Sequence, residues 1–345
     1  RIPFLVPFGP GKRQKILFNL ADGFFEAYDR YQPLKHGKKH ARLTADELRA
    51  LEPGLAGEMV GGYSFDEWGI DGARLCIANA VDAIERGAQV LVGTTVESIE
   101  RREDTREVLA VRTRDRRTGK AGRIRTSVVV NATGAWGDWT LQELPITAPP
   151  LFGGTKGTHI FTQQPQLKQA LGGDAVYAEA QDGRLVFLIP VEFGEMVGTT
   201  DDRFTERPEQ ARSTEAEVAY LLQLANEIFP HVKLTKADIF ATCSGVRPLP
   251  YSDGSKTAAI SRGHSVNEQT ANGMPLLTLI GGKLTTCRAL GEEVADRVLR
   301  HLGVPRTAST RDRIVPGGAE RPPDCPPRSR RHYSYAPLVT GCLVA

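Results

Sequence analysis

Residues 276–280 form a short apolar run that begins after Pro275 and ends on Gly281-Gly282-Lys283-Leu284-Thr285-Thr286. A run bounded in this way reads as a buried strand. Past the glycines, Leu290, Val294 and Val298 recur at helical spacing as far as Leu302, so the stretch predicts strand, glycine turn and helix. Such a turn points free backbone N–H groups and the positive end of the helix dipole at one spot, which suits an anion or an electron-rich ring edge. Lys283 adds a full charge there. A triphosphate-binding loop is excluded, because that motif needs a glycine where this chain has Leu277. The competing reading is an ordinary β–α turn with a surface lysine. A second small-residue turn, Asn131-Ala132-Thr133-Gly134-Ala135-Trp136, follows another apolar stretch, and Ala132 and Gly134 let backbone approach a ligand closely. Gly9-Pro10-Gly11-Lys12-Arg13-Gln14 imitates a dinucleotide fingerprint. Gln14 stands where the third glycine or alanine belongs, and no strand is read before it.

The elements that must position these turns follow from periodicity. Residues 1–11 are rich in Pro and Gly and show no period, whereas residues 16–31 carry Ile16, Leu20, Phe24 and Tyr28 at helical spacing. The basic loop 35–40 reads as a solvated surface, with contact to anionic lipid as the alternative. Thr44 to Glu47 is a capping box opening a short helix that stops at Pro53. An irregular aromatic strand begins at Gly61, and an amphipathic helix starts at Asp71 or Gly72 and ends at Gly87. Strands are then expected at 90–92, 96–99, 108–112 and 124–130, with a hairpin turn at 117–120. A region of mixed strands follows Pro149, at 158–162, 185–189, 196–199, 239–243 and 258–261. It is interrupted by one long helix opened by the capping box Thr214 to Glu217 and ended at Pro230. This order is α/β in character.

Bulk properties narrow the function classes. The 345 residues suffice for two domains, and 40% hydrophobic with 25% charged residues is a globular composition. A net charge of +3, spread along the chain, implies no nucleic-acid partner. The five cysteines are far apart and form no C-x-x-C pair, which argues against a disulfide framework or a metal site and fits a reducing compartment. No signal peptide or bilayer-spanning stretch is read.

Four segments together resemble the FAD-dependent, aerobic-type glycerol-3-phosphate dehydrogenases: 131–136, Lys156-Gly157-Thr158-His159-Ile160, Ser244-Gly245-Val246-Arg247-Pro248-Leu249 and 281–286. The weaker segments 71–75 and 198–201 fall in the family's order, and the resemblance runs from about Phe4 to about Leu302. It implies a glutathione-reductase-like FAD-binding fold with an inserted antiparallel or mixed substrate sheet. The implied reaction is oxidation of sn-glycerol 3-phosphate to dihydroxyacetone phosphate, with electrons passed to a membrane quinone. It also implies a cytoplasmic enzyme held peripherally on the inner face of the cell membrane, with a homodimer possible. The expected division is a partial FAD-binding domain at 1–148, a substrate sheet at 149–255, a return to the FAD-binding domain at 256–305 and a disordered Pro/Arg-rich tail at 306–345. The family's opening strand with its G-x-G-x-x-G turn and its C-terminal helical domain are not matched, so the chain resembles a central piece.

Carried onto this sequence, the resemblance assigns catalytic positions to His159, Arg247 and Lys283. Arg247, between a strand end and Pro248, suits a guanidinium held for two-pronged contact with phosphate; the alternative is a structural ion pair. Lys283 would serve substrate oxygens and the flavin edge. His159 would be the base, against the alternative of a core or surface histidine, with Lys156 a supporting charge. Asn131, Ala132, Gly134 and Trp136 would lie along FAD, Trp136 having core packing as its alternative. Thr94, Thr95 and Val96 would lie near the adenosine half, and Gly281, Gly282, Leu284 and Thr285 over the isoalloxazine and ribityl parts. Two other readings remain: an amino- or hydroxy-acid oxidase of the same fold, and a flavin-free protein that only binds or associates.

Overall fold

The computed structural model describes residues 2–31, 37–101, 104, 108–179, 183–254, 257–271, 274–314 and 342–343. The chain opens with strand β1 (Ile2–Phe8), helix α1 (Lys12–Asp29), β2 (Ala41–Thr44), α2 (Ala45–Leu51), β3 (Gly61–Glu67) and α3 (Gly72–Glu85). A meander of β4 (Thr94–Arg101), β5 (Val108–Asp115) and β6 (Ala121–Ile124) leads to β7 (Val129–Asn131) and α4 (Gly137–Glu143). Then come β8 (Thr155–Thr162), α5 (Pro165–Leu171), β9 (Ala175–Glu179), β10 (Leu185–Val191), β11 (Gly194–Gly198) and β12 (Asp202–Arg203). Helix α6 (Glu215–Ile228), β13 (Ile239–Arg247), β14 (His264–Ala271), β15 (Met274–Gly281) and α7 (Cys287–Leu302) complete the run, and β16 (Cys342–Leu343) pairs with β13.

These strands make three sheets. The largest runs β13-β8-β11-β10-β9-β1-β3-β2, with β12 beside β8. A second is β14-β15-β7, in which β7 is parallel to β15, and the third is the meander β4-β5-β6. The large sheet has two differently covered faces. Ile160, Val176, Val186, Leu188 and Val197 point to one of them and are buried under α5 and α6. Helix α6 can lie there because its capping box is formed as expected and its Val218, Leu221, Leu224, Ala225 and Ile228 share one buried side. On the other face, α1 covers the β1–β3 edge through Phe18 and Phe25, which pack with Phe8 and Tyr63. The Tyr63 hydroxyl donates to the Phe18 carbonyl oxygen at 2.8 Å. Among the described residues, the same face over β8 to β10 carries no such helix.

The structure departs from the expectations in several places. Residues 2–8, obscured by Pro3 and Pro7, are a strand, because β3 and β9 pair with them from both sides. Consequently residues 2–67 share a sheet with the region after 149, and the boundary expected at 148 does not coincide with the sheets. Residues 90–92 form no strand; Val92 is 88% exposed, and no neighbour pairs with the segment among the described residues. The run 124–130 is split into the end of β6 and β7, and 258–261 is replaced by a single 3₁₀ turn at Thr257–Ala259. Helix α3 forms as expected with Asp71 as its cap, but none of its residues is fully buried and Ile77, Val81 and Ile84 are exposed. The tail expected to be disordered lies mostly outside the described residues, as do residues 35 and 36 of the basic loop.

Candidate active site

Directly paired residues of antiparallel neighbours share a face, so register alone assembles a row across the uncovered part of the large sheet. Cys243 pairs with His159, His159 with Gly198, Gly198 with Phe187 and Phe187 with Tyr177. Tyr177 and Phe187 stack with centroids 4.2 Å apart. Gly198 is required beside His159, since a β-carbon there would overlap the imidazole. Burial, then the charge of Arg247, brings the His159 pKa down from 6.5 to about 4. The imidazole is therefore neutral at pH 7 and able to accept a proton.

Two residues along β8, the missing side chain of Gly157 makes room for the Arg247 guanidinium, which a β-carbon would overlap. Arg247 Nη1 donates to Asp201 Oδ1 at 3.1 Å, and Nη2 donates to Thr199 Oγ1 at 3.0 Å and to the Thr200 carbonyl at 3.3 Å. Arg262 Nη2 reaches the other oxygen of Asp201 at 3.3 Å, so two guanidinium groups converge on one carboxylate. Burial lowers the Arg247 pKa; Asp201 opposes this and Arg262 adds to it. Arg262 is also close enough to Tyr177 to oppose the upward push of burial on that phenol. The arrangement sets two guanidinium groups about one carboxylate, with a neutral imidazole two residues along β8.

The alternate residues of β8 face the covered side and build a different device. Lys156, 7% exposed, donates to Glu217 Oε2 at 2.8 Å and to the Arg212 carbonyl at 2.7 Å. Thr158 and Thr200 hydroxyls each donate to Glu217 Oε1 at 2.9 Å, and Thr214 donates to Oε2 through both its N–H and its hydroxyl. Burial alone would raise the Glu217 carboxyl; the hydrogen bonds from Lys156, Thr214, Thr158 and Thr200 outweigh it and bring the value down to about 2. Lys156 is thus paired with Glu217 on the face opposite His159.

The two small-residue turns follow the carboxyl ends of β7 and β15, neighbouring parallel strands that pair at Asn131 and Thr278. Ligands of open α/β sheets bind outside that end. Gly134, Gly281 and Gly282 have φ of +62°, +70° and +90°, and a β-carbon at Gly281 would overlap the Gly263 carbonyl oxygen. Gly281 N donates to the Pro248 carbonyl at 2.8 Å and Gly282 N to that of Gly263 at 3.1 Å. The glycine pair is thereby fastened to the residues following Arg247 and Arg262. Lys283 and Leu284 are exposed on the rim, and the Lys283 ammonium has no ion pair among the described residues. The Asn131 amide is used within its own turn, accepting from the Thr133 hydroxyl at 2.7 Å and donating to the Gly137 carbonyl at 3.2 Å. Trp136, 43% exposed, is not core; its indole N–H donates to Glu209 Oε2 at 2.7 Å. Ala132, Gly134, Gly281 and Gly282 line the two turns with small residues, and no β-carbon stands at the three glycines to hold a ligand away from the backbone.

Sequence reasoning missed Arg262, Asp201 as its bridge to Arg247, Tyr177 and Glu217. Arg262 fell next to a misread strand, and the Asp201 bridge joins positions 46 and 61 apart. The signal available was the small-residue pattern at 157 and 198, which marks where large side chains need space. Thr95 and Val96 lie on β4, exposed, paired with Arg114 and Thr113 of β5. Ile99 of that strand packs against the cluster that includes Leu141, Leu276 and Ile280.

The family model described as FAD dependent oxidoreductase (DAO) matches residues 8–297. The chain belongs to this family. Among curated proteins, it is 33% identical over 275 residues to glycerol-3-phosphate dehydrogenase of Synechocystis sp., covering 75% of this chain and 48% of that one. It is 32% identical over 283 residues to the aerobic glycerol-3-phosphate dehydrogenase of Staphylococcus aureus, covering 80% and 48%. The chain spans about half the length of these curated relatives. The solved Bacillus halodurans glycerol-3-phosphate dehydrogenase, complexed with FAD, aligns with a TM-score of 0.68 at 25% identity, covering 90% of this chain and 53% of that one. L-proline dehydrogenase from P. horikoshii shares the fold at a TM-score of 0.59 and 19% identity. The mixed α/β FAD-dependent oxidoreductase fold is that expected from the sequence.

Proposed function

We propose that this chain forms the substrate face and part of the FAD site of an enzyme that oxidises sn-glycerol 3-phosphate to dihydroxyacetone phosphate and delivers the electrons to a membrane quinone. The observation that carries the reading is the convergence of Arg247 and Arg262 on Asp201 beside a neutral His159. A phosphate carries more than one charge and several acceptor oxygens, so it can draw both guanidinium groups from the single carboxylate they share. The names of the curated relatives, about half of whose length this chain spans, support the same substrate.

In this reading FAD is held by Ala132 and Gly134 on one turn and Gly281, Gly282, Leu284 and Thr285 on the other, with Thr95 and Val96 toward its adenosine end. When bound, it supplies the acceptor for the hydride leaving the carbinol carbon. His159 takes the hydroxyl proton, and Lys283 stabilises the negative charge that grows on that oxygen. Substrate phosphate on Arg247 would also relieve the positive potential that depresses His159, making the base stronger once substrate is in place. Peripheral attachment to the inner face of the cell membrane belongs to the same reading; among the described residues no helix is long and apolar enough to cross a bilayer.

The deciding experiment is anaerobic titration of FAD-loaded protein. Bleaching of the flavin band by sn-glycerol 3-phosphate, with glycerol nearly inert, is the expected result. Bleaching by amino or 2-hydroxy acids instead would assign the site to the oxidase alternative, in which Arg247 holds a carboxylate.

A further inference from the structure

Helix α1 has two apolar sides. Phe18 and Phe25 face inward, while Ile16, Leu20 and Phe24 are 60%, 67% and 66% exposed. At about 3.6 residues per turn these three, with Leu17 and Ala27, fall in one sector directed away from Phe18 and Phe25. A helix lying on a sheet normally turns polar residues outward. Cations bracket this outward stripe. Lys12 and Lys15 stand in the first turn, and Lys38 and Lys39 are exposed in the segment that meets the other end of the helix. That segment is fastened there: His40 N donates to Asp29 Oδ1 at 3.0 Å, His40 Nδ1 lies 2.8 Å from Asp29 Oδ2, and the imidazole stacks on Phe25. Of the other cations near the helix, Arg13 pairs with Glu179 and Arg42 with Asp22, and Arg30 is the exposed C-cap residue. None of the four lysines has an ion pair among the described residues.

We propose that the outer side of α1 lies in the headgroup layer of an anionic membrane, with Ile16, Leu20 and Phe24 in the acyl boundary and the lysines on lipid phosphates. An in-plane amphipathic helix with apolar residues between cations is matched by such a surface in both polarity and charge. A second copy of the chain is matched less well. Cations at both ends of the stripe would meet like charges across a two-fold interface in either helix orientation. The proposal deepens the membrane-linked reading above but depends only on α1; vesicle binding needs neither flavin nor turnover, so its failure would leave the phosphate reading standing.

The test is cosedimentation of the chain with vesicles of phosphatidylcholine alone or mixed with phosphatidylglycerol. Wild type should partition onto the anionic vesicles and less onto the zwitterionic ones, with binding weakened by salt. Leu20→Ser with Phe24→Ser should lower that partition by at least about tenfold. Lys12→Glu with Lys15→Glu should weaken binding to the anionic vesicles only. Far-UV circular dichroism should stay unchanged in both variants, because the substituted side chains are exposed. Absence of binding to anionic vesicles, or equal binding by wild type and variants, overturns the proposal. So does a dimer that Leu20→Ser with Phe24→Ser dissociates without any effect on vesicle binding.

Discussion

Replacing Glu217 by glutamine probes how the substrate sheet is held to its helix. The carboxylate is 6% exposed and neutralises Lys156, itself 7% exposed, while collecting hydroxyls from Thr158 and Thr200. Glutamine keeps the shape and one acceptor oxygen but leaves an uncompensated ammonium in the interior. Removing one partner of a buried pair costs about 3–5 kcal/mol. Titration gives a similar size: a carboxyl held at about 2 when its ordinary value is 4.5 contributes about 3 kcal/mol. Because the folded-state value is the lower one, that stability is complete above about pH 4.5 and is lost as pH falls toward 2. Urea unfolding of Glu217→Gln at neutral pH should therefore lose about 3 kcal/mol, and its stability should fall less steeply than wild type on acidification. Lys156→Met combined with Glu217→Gln should recover part of the loss, since the stranded charge is gone. A loss no larger than that of a surface ion pair, about 1 kcal/mol, or a double variant as weak as Glu217→Gln alone, would refute the reasoning.

Other outcomes test the site itself. Gly157→Ala should displace the Arg247 guanidinium and abolish phosphate binding while the fold persists, as isothermal titration with sn-glycerol 3-phosphate and a thermal melt together would reveal. The His159 imidazole should titrate by proton NMR with a midpoint near 4, and Arg247→Gln should move that midpoint upward by removing the neighbouring charge; an unmoved midpoint would mean that burial alone sets it. Gly281→Ala, at φ +70° and against the Gly263 carbonyl, should weaken FAD retention, measured by equilibrium dialysis. Arg247→Lys should cost roughly 1.5–3 kcal/mol in kcat/KM for sn-glycerol 3-phosphate, tenfold to a hundredfold, and much less for glycerol; equal losses would remove Arg247 from the phosphate site.

The features legible in the sequence are those fixed over short distances. The strand, turn and helix at 274–302 and the capping boxes at Thr44 and Thr214 depend on neighbours three or four positions away, and all three form. Strand β1 escaped because its pairing with β3 and β9 overrides the prolines that hide its period. Residues 90–92 failed in the opposite sense: apolar residues make a strand only when another strand is available to pair with them. The site shows the same division. Arg247 and His159 sit in recognisable local patterns. Their grouping with Tyr177 comes from the register of five strands, and that with Asp201 and Arg262 from loop positions joined by side-chain hydrogen bonds.

Strand β8 places Lys156 and Thr158 under the helices and His159 on the open side, one residue apart. Anchorage and chemistry are thereby written on alternate letters of one word. Substitutions at His159, Tyr177 or Phe187 on the open side can re-specify what the sheet receives without touching the Lys156–Glu217 network, whereas Arg247 meets it through Thr200, whose carbonyl accepts from Arg247 and whose hydroxyl donates to Glu217. A one-residue insertion or deletion within β8 would do the reverse, exchanging the two sets and destroying both at once. Variation in this protein's lineage should therefore run through replacement at the open positions of the sheet and through length changes in its loops, with the length of β8 itself held constant.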